Sequence, residues 1–451
     1  MKSKGPGDTM YLAYKTYLSQ NPFVIFHDPA YSLDTILHIH RSGALTASKF
    51  CKSVVSPAGN RSFQMKKRRK NNHNHTENKD RISDLPDCIL FHILSSLETK
   101  HAVQTTILST RWNNLWKRLP TLRLNSSHFK TLKSFTKFVS RVLSLRDDST
   151  ALHTLYFQRK GCVEPPILSK LVEYAASHNV QRLDIFVRCD GVYFPPYFFK
   201  CNTLTSLNLS SSPIPNTAKK PFPSLMTLPA LTSLSLQWFA FHGNNSGRVE
   251  PFSRFKRLNT LILENCQIVG VPNLCISSTT LANLTIQSND GLSDFCGIEL
   301  SAPSLCTFSF TGNPLEIRYG SRLSSIEHVS IDVNVAWISE KFPSVLLSWL
   351  IEFSSIKSLA VSSTTLQVLS VVPDLLKVEF SSLCNLKSLK VKMRQFTDGL
   401  SRTLIEANIS QLLSRLEEAF KERSKTHSSI PDGIVDFLLQ NSPSAKVDVI
   451  T

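Results

Sequence analysis

From residue 150 onward the chain repeats one short pattern: apolar residues at the first, fourth and sixth places of a six-residue stretch. It occurs at Leu152–Phe157, Val180–Ile185, Leu204–Leu209, Leu231–Leu236, Leu258–Leu263, Leu281–Ile286, Leu305–Phe310, Ile326–Ile331, Ile356–Val361 and Leu386–Val391. Successive starts lie 21 to 30 residues apart. Alternation over the last three places predicts a short strand with one face turned to a core. No single unit can bury its apolar set alone, so the units must stack into a solenoid of parallel strands. Position nine is Cys266, Asn289, Asn313 and Asn334 in four consecutive repeats. A compact thiol or an amide there can sit inside a turn and satisfy backbone groups. Cys266 therefore reads as structural rather than reactive.

Residues between the apolar positions point to the concave side, where a partner protein can reach them. They include Arg182, Asp184, Asn208, Gln237, Glu264, Asn283, Gln287, His328, Asp332, Lys390 and Lys392. Most of these are expected to be solvated strand residues, because a few side chains usually carry most of the binding energy.

Ahead of the repeats the period changes to that of helices. Ser83 or Asp84 can cap a first helix, and Pro86 suits its first turn. Leu90, Ile93, Leu94 and Leu97 then share a face. A second helix is expected around Ala102, Val103, Ile107 and Leu108. A third carries Arg111, Trp112, Leu115 and Trp116 and stops near Pro120. Three helices in about 40 residues cannot enclose a large core. Part of this apolar surface is expected to pack on something outside the module.

Behind the repeats, Ile405, Ile409, Leu412, Leu416 and Phe420 fall on one helical face, with Arg415, Glu417 and Lys421 opposite. A shorter helix is expected around Gly433–Leu439, stopped by Pro443. Residues 400–451 thus read as a helical cap on the last repeat. A helix that binds a partner is the other account of the same pattern.

The helical module carries a resemblance. Leu85-Pro86, Ile89, Ile93, Leu97, Val103, Leu108-Ser109, Arg111-Trp112 and Leu115-Trp116 resemble the F-box in order and spacing. Thr110 stands where family members often have Lys. The phrases Leu366–Leu376 and Leu386–Val391 are similar to plant F-box proteins with leucine-rich repeats. The resemblance implies an α/β chain: a three-helix F-box over 80–125, irregular leucine-rich repeats over 150–395 and the helical cap. It implies docking on the Skp adaptor of an SCF-type, cullin-based ubiquitin ligase through Leu85, Pro86, Ile89, Leu90, Ile93, Val103, Leu108 and Trp112. Packing inside the module accounts equally well for Ile93, Leu97, Leu108 and Trp112. The repeat face would then hold a target protein, and no residue would need to perform chemistry. A repeat scaffold outside any ligase is the alternative.

Charge adds a qualification. The chain of 451 residues has a formal net charge of +17. Residues 1–79 hold 13 Lys/Arg and 4 Asp/Glu, a net of +9, leaving +8 for the remaining 372 residues. That remainder suits solubility rather than a nucleic-acid surface. The basic, polar composition of the leading segment predicts disorder. Lys66, Lys67, Arg68, Arg69 and Lys70 form a candidate nuclear import signal, with a solvated linker as the plain alternative. Either compartment, nucleus or cytoplasm, is therefore expected. Ten cysteines without a Cys-x-x-Cys pair suggest free thiols, and nothing in the sequence asks for a metal or cofactor. No run of 18 apolar residues is present.

Overall fold

The computed structural model describes residues 85–162, 165–188, 201–211, 219–223, 226–243, 249–288, 297–321, 323–333, 341–353, 355–370, 383–394, 430–431 and 433–450. The chain divides into two compact units, Met1–Tyr156 and Phe157–Thr451. The leading basic segment, Ser83, Asp84, Asn289, Asn334 and the expected helix at 405–420 lie outside the described residues.

In the first unit, α1 (Asp87–Ser96) follows Pro86, which is extended at φ −55°, ψ 147° and stands just before the helix rather than within its first turn. Leu90 and Leu94, one turn apart, are fully buried. The second helix, α2 (Thr99–Gln104), buries Ala102 and Val103 and tightens into a 3-10 turn at Thr105–Ile107. The expected third helix is instead two 3-10 turns, Thr110–Asn113 and Leu115–Arg118. Asn114 separates them at φ −114°, ψ −4°. Asn is a poor helix former because its amide competes for backbone partners. Trp112, Leu115 and Trp116 are nevertheless buried.

Strand β1 (Thr121–Asn125) then turns Leu122 and Leu124 inward. Helix α3 (Leu132–Leu145) is absent from the expectation above, although its signals are present. The Thr131 hydroxyl caps it by accepting the Ser134 N–H, and Phe135, Phe138, Val139 and Val142 repeat at helical spacing on the buried side.

In chain order, β2 (Thr154–Cys162) runs across the division. It is followed by α4 (Pro165–Ser177), β3 (Arg182–Arg188), β4 (Ser206–Ser211), β5 (Lys220–Pro221), β6 (Ser233–Gln237), β7 (Phe239–His242) and β8 (Thr260–Glu264). Next come β9 (Gln267–Val269), β10 (Asn273–Ser277), β11 (Asn283–Gln287), β12 (Gly297–Ser301), β13 (Thr307–Gly312), β14 (Glu316–Tyr319) and β15 (His328–Val333). The chain ends in α5 (Phe342–Glu352), β16 (Ser358–Ser362), α6 (Ser363–Leu369), β17 (Ser388–Lys392), α7 (Ile434–Leu439) and β18 (Lys446–Ile450). Within the second unit the long sheet runs β3-β4-β6-β8-β11-β13-β15-β16-β17-β18. Two three-stranded sheets, β5-β7-β9 and β10-β12-β14, complete the strands among the described residues.

The repeats carry the expected strands at positions three to seven. Every described pair in the long sheet of the second unit is parallel, so equal positions stand beside one another. Leu207, Leu234, Leu261, Leu284, Phe308, Val329, Leu359 and Leu389 form one inward column. Leu209, Leu236, Leu263, Ile286, Phe310, Ile331, Val361 and Val391 form the next. All are buried.

A hydrogen-bond spine runs along position two, where one carbonyl accepts two N–H groups from the following repeat. Gln181 O accepts from Thr205 and Ser206, and Thr205 O from Thr232 and Ser233. The series continues through Thr232, Asn259, Ala282, Cys306, Glu327 and Lys357. Position nine follows its prediction at Cys266, whose thiol donates to Leu236 O at 3.4 Å. Burial pushes that thiol up to about 12, so it stays protonated and unreactive at neutral pH.

The C-terminal expectation needs correction. Helix α7 stands where expected, led by Gly433 in the left-handed region at φ 73°. Lys446–Ile450, however, is a strand and extends the parallel sheet beyond β17. Val447 and Val449 supply the alternation, but Ser444 occupies position one, so the six-residue apolar pattern does not detect this strand.

Candidate functional surfaces

The first unit leaves large apolar side chains exposed. Ile89 and Leu108 are 41% and 40% exposed, far above the neighbouring Leu90 and Leu94. On α1 the spacing of Ile89 and Ile93 sets them along one side of the helix, with Pro86 just ahead of it. Pro86 is exposed, while Leu85 and Ile93 are half-buried. Arg111 Nη2 contacts Asp87 Oδ1 at 2.7 Å. This ion pair draws the segment just past Leu108 to the start of α1, two residues before Ile89. Leu90, Val103 and Trp112, expected by resemblance to make contact, are buried and pack inside the unit. Of the eight residues carried over, Pro86, Ile89 and Leu108 are freely presented.

A cluster of half-exposed polar groups braces this unit. The Glu98 carboxylate accepts from Asn125 Nδ2 at 3.0 Å and pairs with His128 Nε2 at 3.0 Å. His101 meets His128 edge-on, with ring centroids 5.1 Å apart. Burial, then the neighbouring His128 and Lys100, hold the His101 imidazole down to about 4, so it is neutral at pH 7.

In the second unit, register sorts the sequence candidates into three outward rows. Arg182 and His328 belong to the position-three row, Asp184 and Lys390 to the position-five row, and Gln237, Glu264, Gln287 and Asp332 to the position-seven row. Gln237, Glu264 and Gln287 stand on successive strands, hence about 5 Å apart. The Gln237 amide oxygen accepts from the Ser210 hydroxyl at 2.5 Å. His328 and Lys390 are exposed. Asp332 is mostly covered and forms an ion pair with Arg394. Sequence gives no hint of that pair, whose members lie 62 residues apart.

The sequence also gives no sign of the left-handed turn after the position-seven row. Trp238, Asn265 and Gly312, each at position eight, have φ of 66°, 49° and 137°. Positive φ is uncommon for a bulky side chain. Trp238 donates its backbone N–H to Glu264 O at 3.0 Å, and Lys219 Nζ lies 5.5 Å from its ring centroid. At Gly312 the requirement is steric as well, since a Cβ would meet Ser288 O at 2.9 Å. Among the described residues, no group of three or more His, Cys, Asp or Glu is placed to hold a metal ion. No described helix is long and apolar enough to cross a membrane.

Comparison with known proteins gives these surfaces a family context. The F-box domain model matches residues 82–124. An FBD-associated F-box protein of Arabidopsis thaliana is 28% identical over 412 residues, covering 81% of this chain and 88% of the relative. F-box/LRR-repeat protein 13 of the same plant is 25% identical over 406 residues, with 81% and 88% covered. A putative F-box/FBD/LRR-repeat protein, also from Arabidopsis thaliana, is 30% identical over 237 residues, covering 52% of this chain and 54% of the relative. The chain carries an F-box domain and is related over most of its length to the plant F-box/FBD/leucine-rich-repeat proteins.

Proposed function

We propose that this chain is a non-catalytic, substrate-recruiting adaptor of an SCF-type ubiquitin ligase. The F-box would dock on the Skp adaptor through Pro86, Ile89 and Leu108, with Leu85 and Ile93 at the margin. The observation that carries the reading is the exposure of Ile89 and Leu108, at 41% and 40%, beside Leu90, Leu94, Val103 and Trp112, which the unit buries. The target would lie on the outward rows of the long sheet, with Gln237, Glu264 and Gln287 as its polar strip. Holding a protein beside a ubiquitin-charged enzyme raises the effective concentration of its lysines, and that suffices for transfer without a catalytic group here. The cluster Lys66–Lys70 would allow nuclear as well as cytoplasmic action.

The test is a pull-down of the full chain with purified Skp adaptor. Wild type is expected to bind, and Ile89→Asp/Leu108→Asp to lose binding while keeping its far-UV circular dichroism. A folded wild type that does not bind rejects the ligase role and favours a repeat scaffold outside any ligase.

A further inference from the structure

Strand β18 differs from the strands before it. Val447 and Val449 continue the two inward columns of Leu389 and Val391. Leu389 and Val391 are fully buried, whereas Val447 and Val449 are 40% and 53% exposed. Among the described residues β18 is paired on one edge alone, with β17. A strand edge with free N–H and C=O groups is a template for a further strand. On its outward side β18 carries two opposite charges, Lys446 and Asp448, whose Nζ and Oδ1 are 3.2 Å apart.

We propose that β18 is an interface between two copies of this chain, which pair edge to edge and antiparallel about a two-fold axis at Val447. A two-fold interface requires a surface complementary to itself. In antiparallel strands, directly opposite side chains share a face. With Val447 opposite Val447 of the second copy, each Lys446 faces Asp448 of the other chain, and Ala445 faces Val449. The four charges then alternate in sign, and the exposed valines meet apolar neighbours.

Other registers lack this match. Centring the axis on Asp448 sets two carboxylates opposite each other, which is destabilising. Centring it on Val449 leaves Lys446 without an opposite carboxylate. A one-residue slip sets valines against charges. A five-residue strand pair is a small contact beside the roughly 1,200 Å² buried in stable complexes, so the association is reversible and depends on concentration.

Sedimentation equilibrium of the full chain over about a hundredfold range of concentration tests this. The wild-type mass is expected to rise toward twice that of one chain and to fall back in high salt. Asp448→Lys alone and Lys446→Asp alone each place like charges opposite one another, and each is expected to remain monomeric. Mixed together they restore both Lys–Asp pairs and are expected to associate. Val447→Thr, which keeps strand propensity and charge, is expected to weaken association at least tenfold. A wild type that stays monomeric throughout overturns the proposal. So does association that survives in each single charge variant, or a mixture that fails to associate when wild type does.

Discussion

The two units use apolar residues in opposite ways. In the repeats the columns are closed along their length: Leu234, Leu261 and Leu284 are flanked by equivalents on both sides and are 0 to 1% exposed. In the F-box the apolar set is larger than the unit can enclose, so Ile89 and Leu108 remain 40% exposed or more beside fully buried Leu90 and Leu94. Stacking gives each repeat the partner surface that a short helical module must find elsewhere. The recognition proposed above is accordingly apolar on the first unit and polar, in rows, on the second.

Substitution in the columns should produce the largest effect. Leu261→Ala is expected to destabilise the second unit by about 2–5 kcal/mol, since it opens a cavity between fixed neighbours. Urea denaturation measures this, and a loss under about 1 kcal/mol would mean that the columns are loosely packed. Next comes the half-buried histidine of the first unit. In the folded chain His101 titrates near 4, against 6.5 for the ordinary side chain. A depressed histidine value stabilises the fold above 6.5, and that stability is lost as the pH falls through 4. The difference corresponds to about 3 kcal/mol, and His101→Phe should flatten the decline in thermal stability over that window.

Backbone strain is the third test. Gly312→Ala forces a Cβ toward Ser288 O at φ 137° and is expected to cost about 1–3 kcal/mol. The smallest effect on stability belongs to Ile89→Ala and Leu108→Ala, each expected within about 0.5 kcal/mol of wild type. A large loss from either would place these side chains in the core and erase the contrast between the units.

Much of this organisation is legible in the sequence because strand alternation and helical spacing are local. The inward columns follow from that spacing, as does Cys266 inside its turn. The failures have local causes too. The third F-box helix is interrupted at Asn113-Asn114, a stretch whose backbone preferences outweigh the apolar spacing around it. Strands as short as Lys220–Pro221 and Gln267–Val269 have too few residues to show a period, and Asn273–Ser277 buries three successive residues instead of alternating, which hides the small sheets. Ser444 hides the start of β18. Which outward residues are neighbours depends on register across strands, and the Asp332–Arg394 pair exists only because β15 and β17 lie one strand apart. Burial of Leu90, Val103 and Trp112 likewise depends on how the short helices fold on one another.

The spine at position two has a consequence for how such a chain can vary. Each carbonyl meets the next repeat through the same two N–H groups, whether 23 or 30 residues intervene. The sheet therefore counts strands rather than residues. Lengthening a connecting loop adds little closure cost and leaves the interval between outward side chains unaltered. The face works as a ruler with fixed graduations, on which the marks can be changed one at a time while the material behind it grows or shrinks.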